Sequence, residues 1–296
     1  MRTLFSVLLL CVAYASQAQD LRLDSNLQGG ANLFPINQAG SPRLSSAIAL
    51  IYDEKSQRPI YSKNSHDVVP IASITKLMTA MVILDARLPL DELITISAQD
   101  RDRYKNTRSR MHTGMTLTRG DMLKLALMAS ENTAAAALAR TYPGGTRVML
   151  AMMNAKAQGL GMQSTRFDDP TGLHSSNVST AQDLVKMVMA AQDYSTIQRY
   201  TTTRSHTVQV SERRSLKFNN TNPLVKNASW DIGLSKTGYI SEAGRCLVMQ
   251  AKISNRPVVI VLLDSWGKHT RVGDANRIKR WMEGSNTHVL RHTRRG

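Results

Sequence analysis

The chain has 296 residues, 42% hydrophobic and 20% charged, with 38 Lys and Arg against 22 Asp and Glu, a formal net charge of +16. That length buries a full core, in one domain or two lobes, and the ordinary composition excludes a disordered or low-complexity chain. The charge points to an anionic partner such as cell-wall polymer or lipid head groups. Nucleic acid is excluded as a partner, because the basic residues are scattered and no recognisable nucleic-acid module or aromatic-interleaved basic helix is present.

The first residues read as a secretory signal. Arg2 supplies the positive end, Leu4 to Tyr14 the apolar core, and Ser16-Gln17-Ala18 a small-x-small cleavage site. Cleavage is expected after Ala18, with Ala15 as the second choice. The apolar core is too short to span a membrane, and no later segment is long and apolar enough, so no transmembrane anchor is expected. Cys11 follows Leu10 and lacks the small-residue context of a lipidation site. Removal of residues 1–18 takes away only Arg2 among the charges, leaving about +15, and leaves Cys246 as the only cysteine. Cys246 stands in an apolar run and reads as a buried, inert thiol. The mature protein is expected in the periplasm.

Residues 19–45 are rich in Asn, Gln, Gly, Ser and Pro and read as a loose arm. Ser46 to Asp53 is a strand, Glu54 to Arg58 a turn, and Pro59 to Ser62 the returning strand of a hairpin. Pro70 ends an extended segment. The apolar run Leu77 to Leu84 then predicts a buried helix from Ser73 to about Arg87. Residues 89–117 read as loops and short strands. Thr118 and Asp121 form a capping box before a helix, Met122 to Met128, and a third helix runs from Thr133 to Arg140 until Tyr142-Pro143-Gly144-Gly145 stops it. Residues 146–158 are helical. Gly159 to Leu173 is a loop, Thr180 and Asp183 cap a helix to Gln192, and 203–218 suits a small hairpin. Trp230 to Tyr239, Arg245 to Ile253 and Pro257 to Asp264 read as a three-stranded meander, followed by an amphipathic helix, Gly273 to Met282, and a polar basic tail, 284–296. The simplest assembly is an α/β, two-lobed fold. The early hairpin and late meander make a five-stranded antiparallel sheet flanked by helices (about 46–70 with 226–283). A mostly helical lobe (about 71–225) is inserted, completing one domain over 46–283 with its site in the cleft.

Ser73 and Lys76 share one helical face. A lysine at the mouth of an apolar helix is partly desolvated, its pKa falls, and it can take a proton from a neighbouring serine. On spacing alone, an N-cap serine and a snorkelling lysine are the better explanation of the pair, and Ser265 and Lys268 repeat the spacing. Two further signatures follow in order: Ser130-Glu131-Asn132 at the junction of two apolar helices, and Lys236-Thr237-Gly238 in a strand, where Gly238 leaves room for a substrate backbone. Ser62-Lys63-Asn64 and Ser175-Ser176-Asn177 repeat the middle spacing without that context. The seven histidines form no His-x-x-x-His or His-Glu-x-x-His pair.

The ordered triplet resembles the penicillin-recognising serine enzymes. The contexts Val69 to Ala80, Asp169-Pro170-Thr171-Gly172-Leu173 and Asn177 to Ala181 resemble low-molecular-mass penicillin-binding proteins, which are D-alanyl-D-alanine carboxypeptidases and endopeptidases. Ser130-Glu131-Asn132, Tyr142 to Gly145 and Lys236 to Tyr239 most resemble the penicillin-binding protein 7/8 branch. The likeness spans Ile48 to Met282, and the short stretch after Met282 also suits that endopeptidase branch. The resemblance implies Ser73 as nucleophile, Lys76 as general base and Ser130 as proton relay. It implies Asn132, Lys236, Thr237 and Gly238 as substrate-binding, with the N–H groups of Ser73 and Tyr239 as the oxyanion hole. It implies no metal or cofactor, peptidoglycan stem peptides as substrate, β-lactams as inhibitors, and other cell-wall enzymes as candidate partners. The rivals are a class A-like β-lactamase and a non-catalytic wall or penicillin sensor. The chain lacks the Glu-x-x-Leu-Asn expected of the lactamase and offers Asp168 and Asp169 in that loop.

Overall fold

The apolar runs that sequence reading assigns to hairpin and meander build one sheet. In the computed structural model, which describes residues 40–293 apart from 103 and 106 and side chains as far as Gly284, β1 (Ile48–Asp53) and β2 (Arg58–Lys63) form the hairpin. The predicted signal, residues 19–39 of the arm, and 294–296 lie outside the described residues. β3 (Val69–Pro70), α1 (Lys76–Asp85), β4 (Leu93–Thr95), β5 (Thr116–Thr118), α2 (Arg119–Met128), α3 (Asn132–Arg140) and α4 (Gly145–Gly159) follow. Then come β6 (Val178–Ser179), α5 (Ala181–Ala191), α6 (Ser195–Thr201) and the hairpin β7 (Ser205–Ser211) with β8 (Arg214–Asn219). β9 (Asp231–Ile240), β10 (Gly244–Ile253), β11 (Arg256–Ser265) and α7 (Thr270–Thr293) complete the chain.

The five long strands pair antiparallel in the order β2-β1-β11-β10-β9, with Ile48 opposite Leu263 and Leu247 opposite Leu262. Strand alternation sorts the side chains into two cores. Ile48, Leu50, Val248, Val259 and Val261 face the helical block built around α1, while Ala49, Ile51, Leu247, Ile260 and Leu262 face α7. With both faces covered, β1 and β11 read as continuous apolar runs. β9 is left at the sheet edge.

Local chemistry moves several boundaries. β1 starts at Ile48, because the Ser45 and Ser46 amides donate to Asp274 Oδ1 and Oδ2 at 3.0 and 2.7 Å. Thr118 and Thr180 do cap α2 and α5, accepting from the amides of Asp121 and Asp183. The reciprocal halves of the boxes are taken elsewhere: Asp121 meets His206 at 2.8 Å, and Asp183 accepts from Ser164 N and Thr165 Oγ1. α6 has no predicted counterpart. Its N-cap, Tyr194, makes no side-chain cap bond, and the helix is held by burying Ile197 and Tyr200. α7 starts three residues before the predicted helix and continues to Thr293, through the stretch read as tail.

Asp274 is the fully buried link between the start of β1, the end of β11 and α7. Its Oδ2 also accepts from Ser46 Oγ at 2.5 Å, and Ser46 Oγ lies 2.7 Å from Ser265 Oγ. Asp274→Ala orphans these donors and is expected to cost about 3 kcal/mol of stability. The readout is a lower urea midpoint at unchanged slope. An unchanged midpoint would refute the anchoring role.

Candidate active site

Three chain segments converge at the start of α1. β3 pairs with β6, and the Ile71 amide donates to Asn177 O at 3.0 Å. The backbone then turns sharply: Ala72 has φ +48°, in the left-handed region, and opens a 3-10 turn over Ala72–Thr75. The predicted Ser73 helix is therefore a tight turn feeding α1 at Lys76. Glycines on two other segments let this turn be clasped. A Cβ on Gly172, itself at φ +78°, would lie 2.0 Å from Ala72 O. One on Gly238 would lie 2.9 Å from Ile71 O and 3.0 Å from Ser73 N. The space that a Cβ at Gly238 would take is thus filled by the chain's own Ile71–Ser73 backbone.

Lys76 is fully buried, and its Nζ donates to Ser73 Oγ (2.9 Å), Asn132 Oδ1 (2.7 Å) and Thr171 O (2.6 Å). Burial draws its pKa down to about 7 against the upward pull of Asp169 and Glu131. Lys236 is also buried. Its Nζ donates to Ser130 Oγ (2.9 Å) and Thr237 O (2.8 Å). Burial and the nearby charges of Lys76 and Arg271 hold it well below the ordinary lysine range. Ser130 sits at φ +60° between α2 and α3, a strained conformation that over-determined surroundings can hold at a functional site. Thr237 is buried with its Oγ1 2.6 Å from Thr221 Oγ1. The Tyr239 ring is exposed, under the Arg245 guanidinium at 4.5 Å.

The structure therefore brings Ser73, Lys76, Ser130, Asn132 and Lys236 through Tyr239 into one cluster. Two of the decoys are engaged elsewhere, Ser265 with Ser46 and Ser62 with Ser65, whereas Asn177 of the third supports the site, its Nδ2 donating to Thr75 Oγ1 at 3.0 Å. Several participants carry no mark in the sequence reading. The Thr171 carbonyl is backbone, and backbone acceptors leave no residue-type signal. Asn132 Nδ2 donates to Thr107 Oγ1 at 3.1 Å, tying the site to the basic 101–110 stretch. Arg271, from the first turn of α7, donates to Gly238 O at 3.0 Å. A cavity of about 360 Å³ opens beside Asn132 and Thr171, walled also by Asp102, Tyr104, Asp169 and Leu173. Among the described residues, no group of three or more His, Cys, Asp or Glu could hold a metal ion. Cys246 is buried with its thiol pushed up to about 12, as the apolar context suggests.

Chemically, a hydroxyl held against a lysine that is neutral in a substantial fraction near pH 7 can lose its proton to that lysine as it attacks a carbonyl. Fold and arrangement together define a serine hydrolase. The family model for D-alanyl-D-alanine carboxypeptidase matches residues 36–267. A D-alanyl-D-alanine endopeptidase of Pseudomonas aeruginosa is 47% identical over 84% of this chain and 82% of its own. One of Escherichia coli is 45% identical over 95% and 88%. A Streptomyces DD-transpeptidase crystal structure superposes with a TM-score of 0.76 at 28% identity, covering 82% of this chain and 98% of that one. The chain belongs to the D-alanyl-D-alanine carboxypeptidase family of peptidases.

If neutral Lys76 is the reactive form, acylation of Ser73 is absent in acid, where the lysine is protonated, and rises as pH passes about 7. Stopped-flow acylation measured from about pH 5 to 9 should give a single acid limb there. A flat profile would remove Lys76 as base.

Proposed function

We propose that this chain is a periplasmic D-alanyl-D-alanine endopeptidase that opens peptide cross-links in peptidoglycan and also accepts terminal D-Ala-D-Ala. The observation that carries the reading is the buried Lys76 Nζ 2.9 Å from Ser73 Oγ. Ser73 attacks the D-Ala carbonyl while Lys76 takes its proton. The N–H groups of Ser73 and Tyr239 stabilise the oxyanion. Ser130, held by Lys236, hands a proton to the departing amine, and water then releases the acyl-enzyme.

The leaving amine belongs to the neighbouring stem peptide in an endopeptidase and to free D-Ala in a carboxypeptidase, and both carry a carboxylate on a D-centre. Thr237 receives that carboxylate. Arg271, which donates to Gly238 O at 3.0 Å, puts a positive charge beside β9. β9 lies at the sheet edge, where an extended peptide can pair alongside it. Asn132 binds the substrate backbone by exchanging Thr107 for it. The basic surface favours the anionic wall, and docking of other cell-wall enzymes belongs to the same proposal. Secretion through residues 1–18 accounts for the compartment. No helix among the described residues is long and apolar enough to cross a membrane.

The lactamase reading loses ground on the loop carboxylates. Asp168 is paired with Arg166, and Asp169 accepts from three amides and a hydroxyl of its own turn. Neither is left to activate a deacylating water, so penicillin should form a long-lived adduct on Ser73.

Cross-linked muropeptide dimers incubated with the protein should yield monomers, chromatographically resolved, and Ser73→Ala should abolish them. Lys76→Ala should leave the fold intact and lower penicillin labelling at least about a thousandfold. Intact dimers with the wild-type protein would favour the sensor, and rapid turnover of penicillin would favour the lactamase.

A further inference from the structure

The turn Asp169-Pro170-Thr171-Gly172-Leu173 serves, in the sequence, only as a family mark. In the structure it is wound around one carboxylate. Asp169 Oδ1 accepts from Thr171 N (2.5 Å), Thr171 Oγ1 (2.5 Å) and Gly172 N (2.8 Å), and Oδ2 accepts from His174 N (2.8 Å). The turn is then pinned to the nucleophile's own segment. Thr79 Oγ1 donates to Pro170 O at 2.7 Å, and Asn177 Nδ2 bridges Asp169 O (2.8 Å) and Thr75 Oγ1 (3.0 Å). Gly172 permits the closest approach, to Ala72 O. The outcome of this winding is one directed group, the Thr171 carbonyl. It makes the shortest of the three hydrogen bonds from Lys76 Nζ, at 2.6 Å.

We propose that Asp169 is a positioning residue for the acyl transfer, its carboxylate shaping the turn that presents the Thr171 carbonyl to Lys76 and thereby fixing where the lysine nitrogen stands against Ser73. This rests on the reading of Lys76 as base. The geometry explains why a carboxylate and not a neutral cap stands there. Capping amides is within the reach of Asn or Ser, but Asp169 also adds a negative charge near a buried amine. The charged groups facing Lys76 are Asp169 from this turn, Glu131 from the α2–α3 junction and Lys236 from β9. Asp169 and Glu131 favour the ammonium form, and burial opposes them. Asp169 thus fixes the place of the proton acceptor and raises the pH at which it becomes free to accept. Asp168, one residue away, is paired with Arg166 and does neither.

The test is the pH profile of Ser73 acylation by a fluorescent penicillin, normalised to titrated active sites, for the wild type, Asp169→Asn, Asp169→Glu and Asp168→Asn. Removing the charge lowers the pKa of Lys76, so the acid limb of Asp169→Asn should move down by roughly one pH unit. Its plateau rate should fall about tenfold as Thr171 O and Lys76 drift. Asp169→Glu keeps the charge and should keep the limb at its wild-type pH with a reduced plateau. Asp168→Asn should match wild type in both. An unmoved limb in Asp169→Asn, an equal shift in Asp168→Asn, or failure of both Asp169 variants to fold would overturn the proposal and leave the carboxylate a structural clamp. A wild-type protein that penicillin does not label would instead overturn the proposed function.

Discussion

Two ammonium groups cannot both stay charged when they are buried in one pocket without a carboxylate touching either. That conflict between Lys76 and Lys236 organises the rest of the site. Each is given oxygen acceptors in place of an ion pair: Ser73, Asn132 and the Thr171 carbonyl for Lys76, and Ser130 and the Thr237 carbonyl for Lys236. Neutral acceptors repay less of the desolvation cost than a carboxylate, so the proton on each nitrogen is held loosely. A loosely held proton on nitrogen is the requirement for moving one onto and off a serine oxygen.

The fold meets this requirement with rigid parts. α1 is buried from Lys76 to Ile83 by sheet and helices together, so its first residue has little freedom to swing into water. β9 enters from the sheet edge, the α2–α3 junction from the helices, and the Asp169 turn from the loop before β6. Gly172 and Gly238 let two of these segments close on the Ala72–Ser73 backbone at distances that any larger residue forbids. The left-handed angles at Ala72 and Ser130 carry strain that the surrounding contacts hold in place.

Much of this is legible in the sequence, and what is not has a common cause. Hairpin, meander and most helices follow from apolar period and capping, since those signals are local. Ser73, Lys76, Ser130 and Lys236 are legible because their residue types and order carry chemistry. The Thr171 carbonyl, the Thr107 contact to Asn132 and the bond from Arg271 to Gly238 are not, because they depend on where distant segments meet. The Asp274 anchor is equally silent, being a long-range bond to backbone amides. α6 escapes because burial of Ile197 and Tyr200, and no cap, makes it a helix. At Gly238 the sequence signals closeness of backbone but does not say that the Ile71–Ser73 segment is the backbone that arrives.

The same commitments bear on the second half of an acyl transfer. Deacylation needs a base for water, and the carboxylates nearest Lys76 are both engaged: Asp169 in its turn, and Glu131 with Ser109 Oγ at 2.8 Å in a buried setting that pushes its pKa up. On the proposed mechanism, Lys76 is then the base at hand for water as well, once its proton has left with the amine of the substrate. A cross-linked peptide lets its amine diffuse away with that proton and vacates the path for water. A β-lactam keeps its amine tethered to the acyl group, so on the same mechanism the leaving nitrogen would stay beside Ser130 and Lys236. Under that proposal, one set of contacts permits turnover of a peptide and arrest by a lactam, and the difference lies in whether the leaving group can depart.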